Sequence, residues 1–218
     1  MSFCDDGITV GVIDYGAGNL GNVRRALVSL GFAHVPLKSA EEIDGAVSFL
    51  ILPGVGAFRP AMEKLVSSGW SGALSSWVQA GRPLLGICLG MQLLCEVSAE
   101  GGAETRGLGF ADGEVRELSG IKKIPHMGWN TAAPRGGAEN FPACCMDGDQ
   151  FFYFVHGFAV SSSRHCAAST AVDGVEFCSI LRNGHVAGFQ FHPERSGPGG
   201  VKFLGRAIKY FAGKGNEL

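Results

Sequence analysis

Charge is scarce in this chain. Asp, Glu, Lys and Arg make up 17% of its 218 residues, and 18 basic against 20 acidic side chains leave a formal net charge of −2. No basic run exceeds two residues (Arg24-Arg25, Lys122-Lys123), so the electrostatic footprint that a phosphate polymer requires is missing and no nucleic-acid partner is expected. Long apolar runs are also missing. None approaches the roughly 18 residues of a membrane-spanning helix, which excludes a helical membrane protein. The amino terminus, MSFCDDGITV, carries acids where a secretory signal carries bases, and this reads as a cytosolic protein. The seven cysteines (Cys4, Cys88, Cys95, Cys144, Cys145, Cys166, Cys178) include no C-x-x-C pair. Zinc spacing is therefore absent, no metal is expected, and an odd number of thiols argues against a disulfide framework.

Apolar residues, at 46%, are plentiful enough for a sizeable core and exclude disorder. No internal repeat or low-complexity linker interrupts the chain, so residues 1–218 are read as one domain. Glycine, at 34 residues, is about twice its average share of roughly 7% and clusters at the ends of apolar runs.

The first half alternates strand and helix. Strands are expected at Ile8–Asp14, His34–Leu37, Val47–Leu52 and Pro83–Ile87. Helices are expected at Gly18–Leu30 with Gly31 as its stop, Ala61–Ser67, Ser71–Ala80 and Leu89–Glu96, with Ser39-Ala40-Glu41-Glu42 as a capping box on a short helix. The second half reads as strands at Glu114–Leu118, Phe151–His156, Cys166–Ala171, Val175–Leu181 and His185–Phe191. An Asn183-Gly184 hairpin signal lies between the last two, and a final helix carries Val201, Leu204, Ile208 and Phe211 on one face. Parallel β-α units followed by hairpins imply an α/β fold, a mixed central sheet with helices on both faces, and a site at the carboxyl ends of its strands.

The strand ends carry the chemistry. Gly16-Ala17-Gly18-Asn19-Leu20-Gly21 is formally a dinucleotide fingerprint, but the ribose-binding acid about 20 residues on is missing, which favours a plain strand-helix turn. Pro53-Gly54-Val55-Gly56 can aim N–H groups into a cleft or be a simple turn. Gly86-Ile87-Cys88-Leu89-Gly90 is G-x-C-x-G, the thiol form of a nucleophile elbow. It places Cys88 at a helix N-terminus and the Leu89 N–H where an oxyanion would form. Cys95, on an apolar helical face, reads as core. Of His34, His126, His156, His165, His185 and His192, the last follows a buried strand and precedes Pro193-Glu194. An extended segment would put Glu194 on the same side as His192 and so orient the ring. His156 is read as support or cavity wall.

Gly86–Gln92 (GICLGMQ), Pro53–Gly56 (PGVG) and Phe191–Glu194 (FHPE) resemble class I glutamine amidotransferases. Asp14–Asn19 (DYGAGN), Pro125–Asn130 (PHMGWN) and Tyr153–His156 (YFVH) narrow the resemblance to the branch that serves as glutaminase subunits of imidazole glycerol phosphate synthases, in histidine biosynthesis. The resemblance runs from about Ile8 to about Phe211. It implies a flavodoxin-like fold and a triad of Cys88, His192 and Glu194. It also implies an oxyanion loop at Gly54, Val55 and Gly56 with Leu89 as second donor, and substrate contacts at Gln92, Gly157 and Phe158. Glutamine is the implied substrate, a (β/α)8-barrel cyclase forming a heterodimer is the implied partner, and no cofactor is needed. Asn19, Met127, Trp129, Asn130 and Arg195 match positions on the partner-facing side. After YFVH the family continues with a hydroxyl residue and Tyr, where this chain has Gly157-Phe158, so substrate contacts there come only from backbone. The alternatives are another amidotransferase subunit such as that of anthranilate synthase, a free-standing cysteine hydrolase, and a non-catalytic binding subunit. The pair Cys144-Cys145 is expected on a surface segment.

Overall fold

The computed structural model describes residues 7–137, 140–148 and 150–214; Cys4 and the acidic amino terminus lie outside them. Strand and helix alternate through β1 (Thr9–Ile13), α1 (Leu20–Leu30), β2 (Ala33–Leu37), β3 (Phe49–Gly54), α2 (Phe58–Ser67), α3 (Trp70–Gln79), β4 (Leu84–Cys88) and α4 (Leu89–Leu93). Two-residue strands β5 (Val97–Ser98) and β6 (Thr105–Arg106) lead to β7 (Glu114–Glu117), β8 (His126–Thr131) and β9 (Ala133–Pro134). Next come β10 (Phe151–His156), β11 (Phe158–Ser162), β12 (Cys166–Val172), β13 (Val175–Asn183) and β14 (Val186–Phe189), before α5 (Gly197–Lys209).

The main sheet runs β2-β1-β3-β4-β14-β13-β11-β7-β5-β6, with β12 and β9 branching from β13. Strands β2, β1, β3, β4 and β14 are parallel. From β14 to β13, β11 and β7 the pairing is antiparallel, as a chain that switches from helical crossovers to hairpins requires. β8 and β10 form a separate antiparallel ribbon. Alternate residues of β3 feed opposite faces: Phe49 and Ile51 join the core shared with α1 and α5, and Leu50 and Leu52 join the core shared with α2, α3 and α4. Gly31 closes α1 at φ 78°, as its position after the last apolar residue predicts.

Several boundaries differ from the sequence expectation. β3 starts at Phe49 rather than Val47 and continues through Pro53-Gly54. α2 begins three residues early because the Glu100 carboxylate, 42 residues away, accepts the Phe58 N–H at 2.7 Å. α4 ends at Leu93 rather than Glu96, since N–H groups of residues 107–111 capture the carbonyls of Leu93, Leu94, Cys95 and Glu96. Ser39 precedes a single 3-10 turn (Ala40–Glu42) but makes no side-chain cap bond, so the capping box does not form; the Glu42 carboxylate accepts the Lys38 N–H at 2.8 Å. Cys144-Cys145 is not a surface pair. Cys145 is fully buried in the core beside α5, with its free thiol 3.8 Å from that of Cys144.

Candidate active site

The carboxyl ends of β3, β4 and β14 converge on one cavity of about 350 Å³. At its floor β4 turns abruptly into α4 through Cys88, whose φ of 56° and ψ of −113° are strained for a residue with a Cβ. Glycine makes the turn possible. A Cβ on Gly86 would stand 2.6 Å from the Gly90 carbonyl, and one on Gly90 would collide with the carbonyl oxygen of Leu52. β3 and α4 therefore touch backbone to backbone, and the Cys88 side chain is driven into the cavity.

His192 reaches the same cavity from the other side. Its N–H donates to the Tyr153 carbonyl at 2.9 Å, and the Ser196 hydroxyl donates to its carbonyl at 2.6 Å, which ties the segment to β10. Glu194 accepts from His192 Nδ1 at 2.9 Å, with the carboxylate 1% exposed. The pair forms through a 3-10 turn, Pro193–Arg195, rather than the extended segment that the sequence suggested. Burial opposes charge on the ring, but hydrogen bonds to Cys88 and Glu194, with the charges of both, outweigh it and push the His192 pKa up to about 10. The imidazole thus carries its proton at neutral pH, directed at sulfur on one side and carboxylate on the other. Glu194 Oε2 is buried and has no hydrogen-bond partner among the described residues.

Gln92, on α4, lines the cavity and donates from Nε2 to the Phe158 carbonyl at 2.8 Å and to Gln190 Oε1 at 3.0 Å. The carbonyl of Gly157 is taken by the Leu118 N–H at 2.9 Å. Val55 and Gly56 lie at the cavity rim, and Gly54 pairs in register with Cys88. His156 is a cavity wall, as expected. Its Nδ1–H donates to the Phe158 carbonyl at 2.9 Å, and its Nε2 meets His126 Nδ1 at 3.1 Å. Burial pushes the His156 pKa down to about 3, with the charges of His126 and His192 acting in the same sense, so it stands neutral beside a protonated His192. Cys95 is fully buried, and burial raises its pKa to about 12.

The structure brings Cys88, Leu89, Gln92, Val55, Gly56, Gly157, Phe158 and His192 to one cavity. The proposed partner-facing residues lie outside it. Met127 and Trp129 are exposed on β8, whose register places Met127 opposite Val155 of the cavity wall. The Arg195 guanidinium lies 4.6 Å from the Tyr153 ring, which meets Trp129 edge-on. Asn19 caps α1 through Asn22 N–H, and Asn130 donates to the Ala171 carbonyl at 3.0 Å. Sequence reading missed three side chains. Gln190 is fully buried between Gln92 and Cys88, and Glu100 lines the cavity. Tyr15 has a buried hydroxyl with no partner among the described residues and a pKa raised by burial and then by Cys88. Gln190, two residues before His192, has a period-2 signal that could have found it. Tyr15 stands in the DYGAGN motif at the carboxyl end of the first strand, a position that could have found it; Glu100 had no such signal.

The model of the family "Glutamine amidotransferase class-I" matches residues 11–209. A protein of Desulfitobacterium hafniense (strain DSM 10664 / DCB-2) named imidazole glycerol phosphate synthase subunit HisH is 44% identical over 199 residues, covering 89% of this chain and 91% of that one. The protein of the same name from Geobacillus kaustophilus (strain HTA426) is 39% identical over 216 residues, covering 95% and 99%. A solved glutamine amidotransferase superposes with a TM-score of 0.73 at 21% identity, covering 94% of this chain and 98% of that one, which establishes a common fold. On the extent of the family match and the identity of these relatives, the chain belongs to the class-I glutamine amidotransferases.

Proposed function

We propose that this chain is the glutaminase subunit of an imidazole glycerol phosphate synthase, hydrolysing the side-chain amide of glutamine and passing ammonia to a cyclase. The observation that carries the reading is the Cys88 elbow facing a protonated His192 that is held by Glu194 at 2.9 Å. The Cys88 thiolate attacks the carboxamide carbon, and the developing oxyanion takes N–H bonds from Leu89 and the Gly54–Gly56 loop, each worth about 3–4 kcal/mol. His192 gives its proton to the departing nitrogen, leaving a thioester and ammonia. The neutral ring then takes a proton from water as that water attacks the thioester, and glutamate leaves. Glu194 fixes the ring tautomer and stabilises the imidazolium. Gln92, Gly157 and Phe158 hold the substrate. This acyl transfer needs no metal or organic cofactor.

Free ammonia would be protonated in water and lose its nucleophilicity, so the product must enter a partner directly. The partner of this reading is a (β/α)8-barrel cyclase forming a heterodimer, which makes imidazole glycerol phosphate and aminoimidazole carboxamide ribotide in histidine biosynthesis. The shared name of the relatives supports the assignment. So does the apolar surface of Met127 and Trp129 beside the cavity, 61% and 56% exposed. In this reading Asn19, Asn130 and Arg195 also face the partner. No helix among the described residues is long and apolar enough to cross a membrane.

Gly54 is held in β3, but Gly56, at φ 99° with nothing within 4 Å of an added Cβ, lets the Val55–Gly56 peptide rotate at little steric cost. The chain alone is then a poor glutaminase, slower in kcat by about 10²–10³ than with the cyclase and a nucleotide analogue bound. Steady-state glutaminase kinetics under the two conditions test this. Full-rate turnover by the chain alone would favour a solitary hydrolase, and no glutamine hydrolysis under either condition would overturn the assignment.

A further inference from the structure

Gln190 belongs to β14's continuation towards His192 and is fully buried, yet it is neither nucleophile, base nor cavity lining. Its backbone N–H is satisfied by the Ser179 carbonyl at 2.9 Å, so the side-chain amide is free for another task. That amide lies between the two groups on which the proposed reaction depends. Its Oε1 accepts from Gln92 Nε2 at 3.0 Å, and its Nε2 donates to Cys88 Sγ at 3.9 Å.

The polarity of this chain of bonds is fixed from one end. The Phe158 carbonyl can only accept, so the group facing it at 2.8 Å must be the Gln92 nitrogen. That nitrogen's second hydrogen faces Gln190, which must present its oxygen. The Gln190 nitrogen is then left for sulfur. Both hydrogens of Gln92 are spent on the protein, and its Oε1 remains as the acceptor that the cavity offers to a donor on the ligand.

Resting on the glutaminase reading above, we infer that Gln190 is a positioning residue with two linked effects. It locks the Gln92 carboxamide in the orientation that receives an ammonium or amide donor of the substrate. It also supplies a neutral N–H that stabilises the Cys88 thiolate without adding charge. A peptide carbonyl on β11 is thereby connected through two carboxamides to the nucleophile, so substrate orientation and thiolate stability depend on one buried group.

The test uses the full chain and needs no partner. Alkylation of Cys88 by iodoacetamide, followed on the Cys88 peptide by mass spectrometry across pH 5–10, reads thiolate formation. Protection of Cys88 by glutamine at fixed pH reads substrate affinity. Gln190→Met keeps the side-chain volume and removes both bonds. It should move the alkylation midpoint alkaline by about one pH unit and weaken glutamine protection about tenfold. Gln190→Glu keeps an acceptor facing Gln92 and should hold glutamine affinity within about threefold of the unaltered chain. If Gln190→Met lowers only thermal stability, leaving midpoint and protection unmoved, the role is structural and the inference falls. If Gln190→Glu loses glutamine as fully as Gln190→Met, the orientation half is wrong. Should Gln190→Met fail to fold, Gln190→Glu alone decides the orientation claim. Failure of glutamine to protect the unaltered chain would instead overturn the glutaminase reading.

Discussion

The cavity has two walls made on different terms. Its β3–β4–α4 wall is backbone against backbone: a Cβ on Gly54 would lie 2.7 Å from the Gly90 nitrogen, and one on Gly86 would lie 2.6 Å from the Gly90 carbonyl. Its β10–β11–β8 wall is made of rings. His156 meets Phe177 at 4.9 Å and His126 at 5.1 Å between centroids, and Trp129 and Met127 stand outside in solvent. The first wall positions a strained nucleophile, a task in which a displacement of 1 Å is costly. The second sets proton affinities and presents a surface, tasks that side chains can share. The contrast explains why one wall tolerates almost no added atoms while the other carries the groups by which the site is tuned and covered.

Substitutions should separate the walls. The largest effect belongs to the backbone wall. Gly90→Ala forces a methyl group onto the Leu52 carbonyl and should cost about 4 kcal/mol or more of unfolding free energy, read by urea titration. A loss under 1 kcal/mol would mean that α4 is not clamped against β3.

Next comes the ring wall's pH dependence. Burial holds the folded His156 pKa down at about 3, against about 6.5 for a free imidazole, so its contribution is intact above pH 6.5 and is lost as pH falls towards 3. Unfolding free energy should drop by about 2 kcal/mol between pH 6.5 and 5, and His156→Gln should flatten that slope. His192 acts in the other direction. Its raised value of about 10 gives stability that is complete below pH 6.5 and disappears as pH climbs through 10. An unchanged acid slope in His156→Gln would show that the ring is not held neutral.

Trp129→Ala removes an exposed ring of the proposed docking face. It should weaken cyclase binding by about 2 kcal/mol, roughly 30-fold, by calorimetry. Unaltered affinity would move the interface off β8. The smallest effect is relief of strain: Cys88→Gly should be about 1 kcal/mol more stable than Cys88→Ala, because only glycine accepts φ 56° without cost.

The same division governed what the sequence could reveal. The backbone wall was legible, since Gly54 of P-G-V-G and both glycines of G-x-C-x-G mark places where a side chain cannot fit, and β1 to β4 were found as strands from their apolar runs. His192 and Glu194 were legible as a pair, although the turn joining them was not. The ring wall was legible only in part: β10 and His156 were read from the sequence, but β8 and β11 were not. β8 buries only His126 and has no apolar alternation, and β11 follows β10 with one intervening residue. α4 was overextended because hydrogen bonds from residues 107–111 replaced its last turn, a tertiary event with no local cue. Cys145 was misplaced for the same reason: its burial depends on α5, some 60 residues further on.

The most direct test of the account is the Cys88→Ala complex with its cyclase, assayed once with glutamine and once with an ammonium salt at high pH. Only amide cleavage requires the thiolate, so glutamine-dependent synthesis should fall by at least about 10⁴-fold while ammonia-dependent synthesis stays within twofold of the unaltered complex. Equal loss of both activities, or retention of the glutamine-dependent one, would contradict the role given to the elbow cysteine.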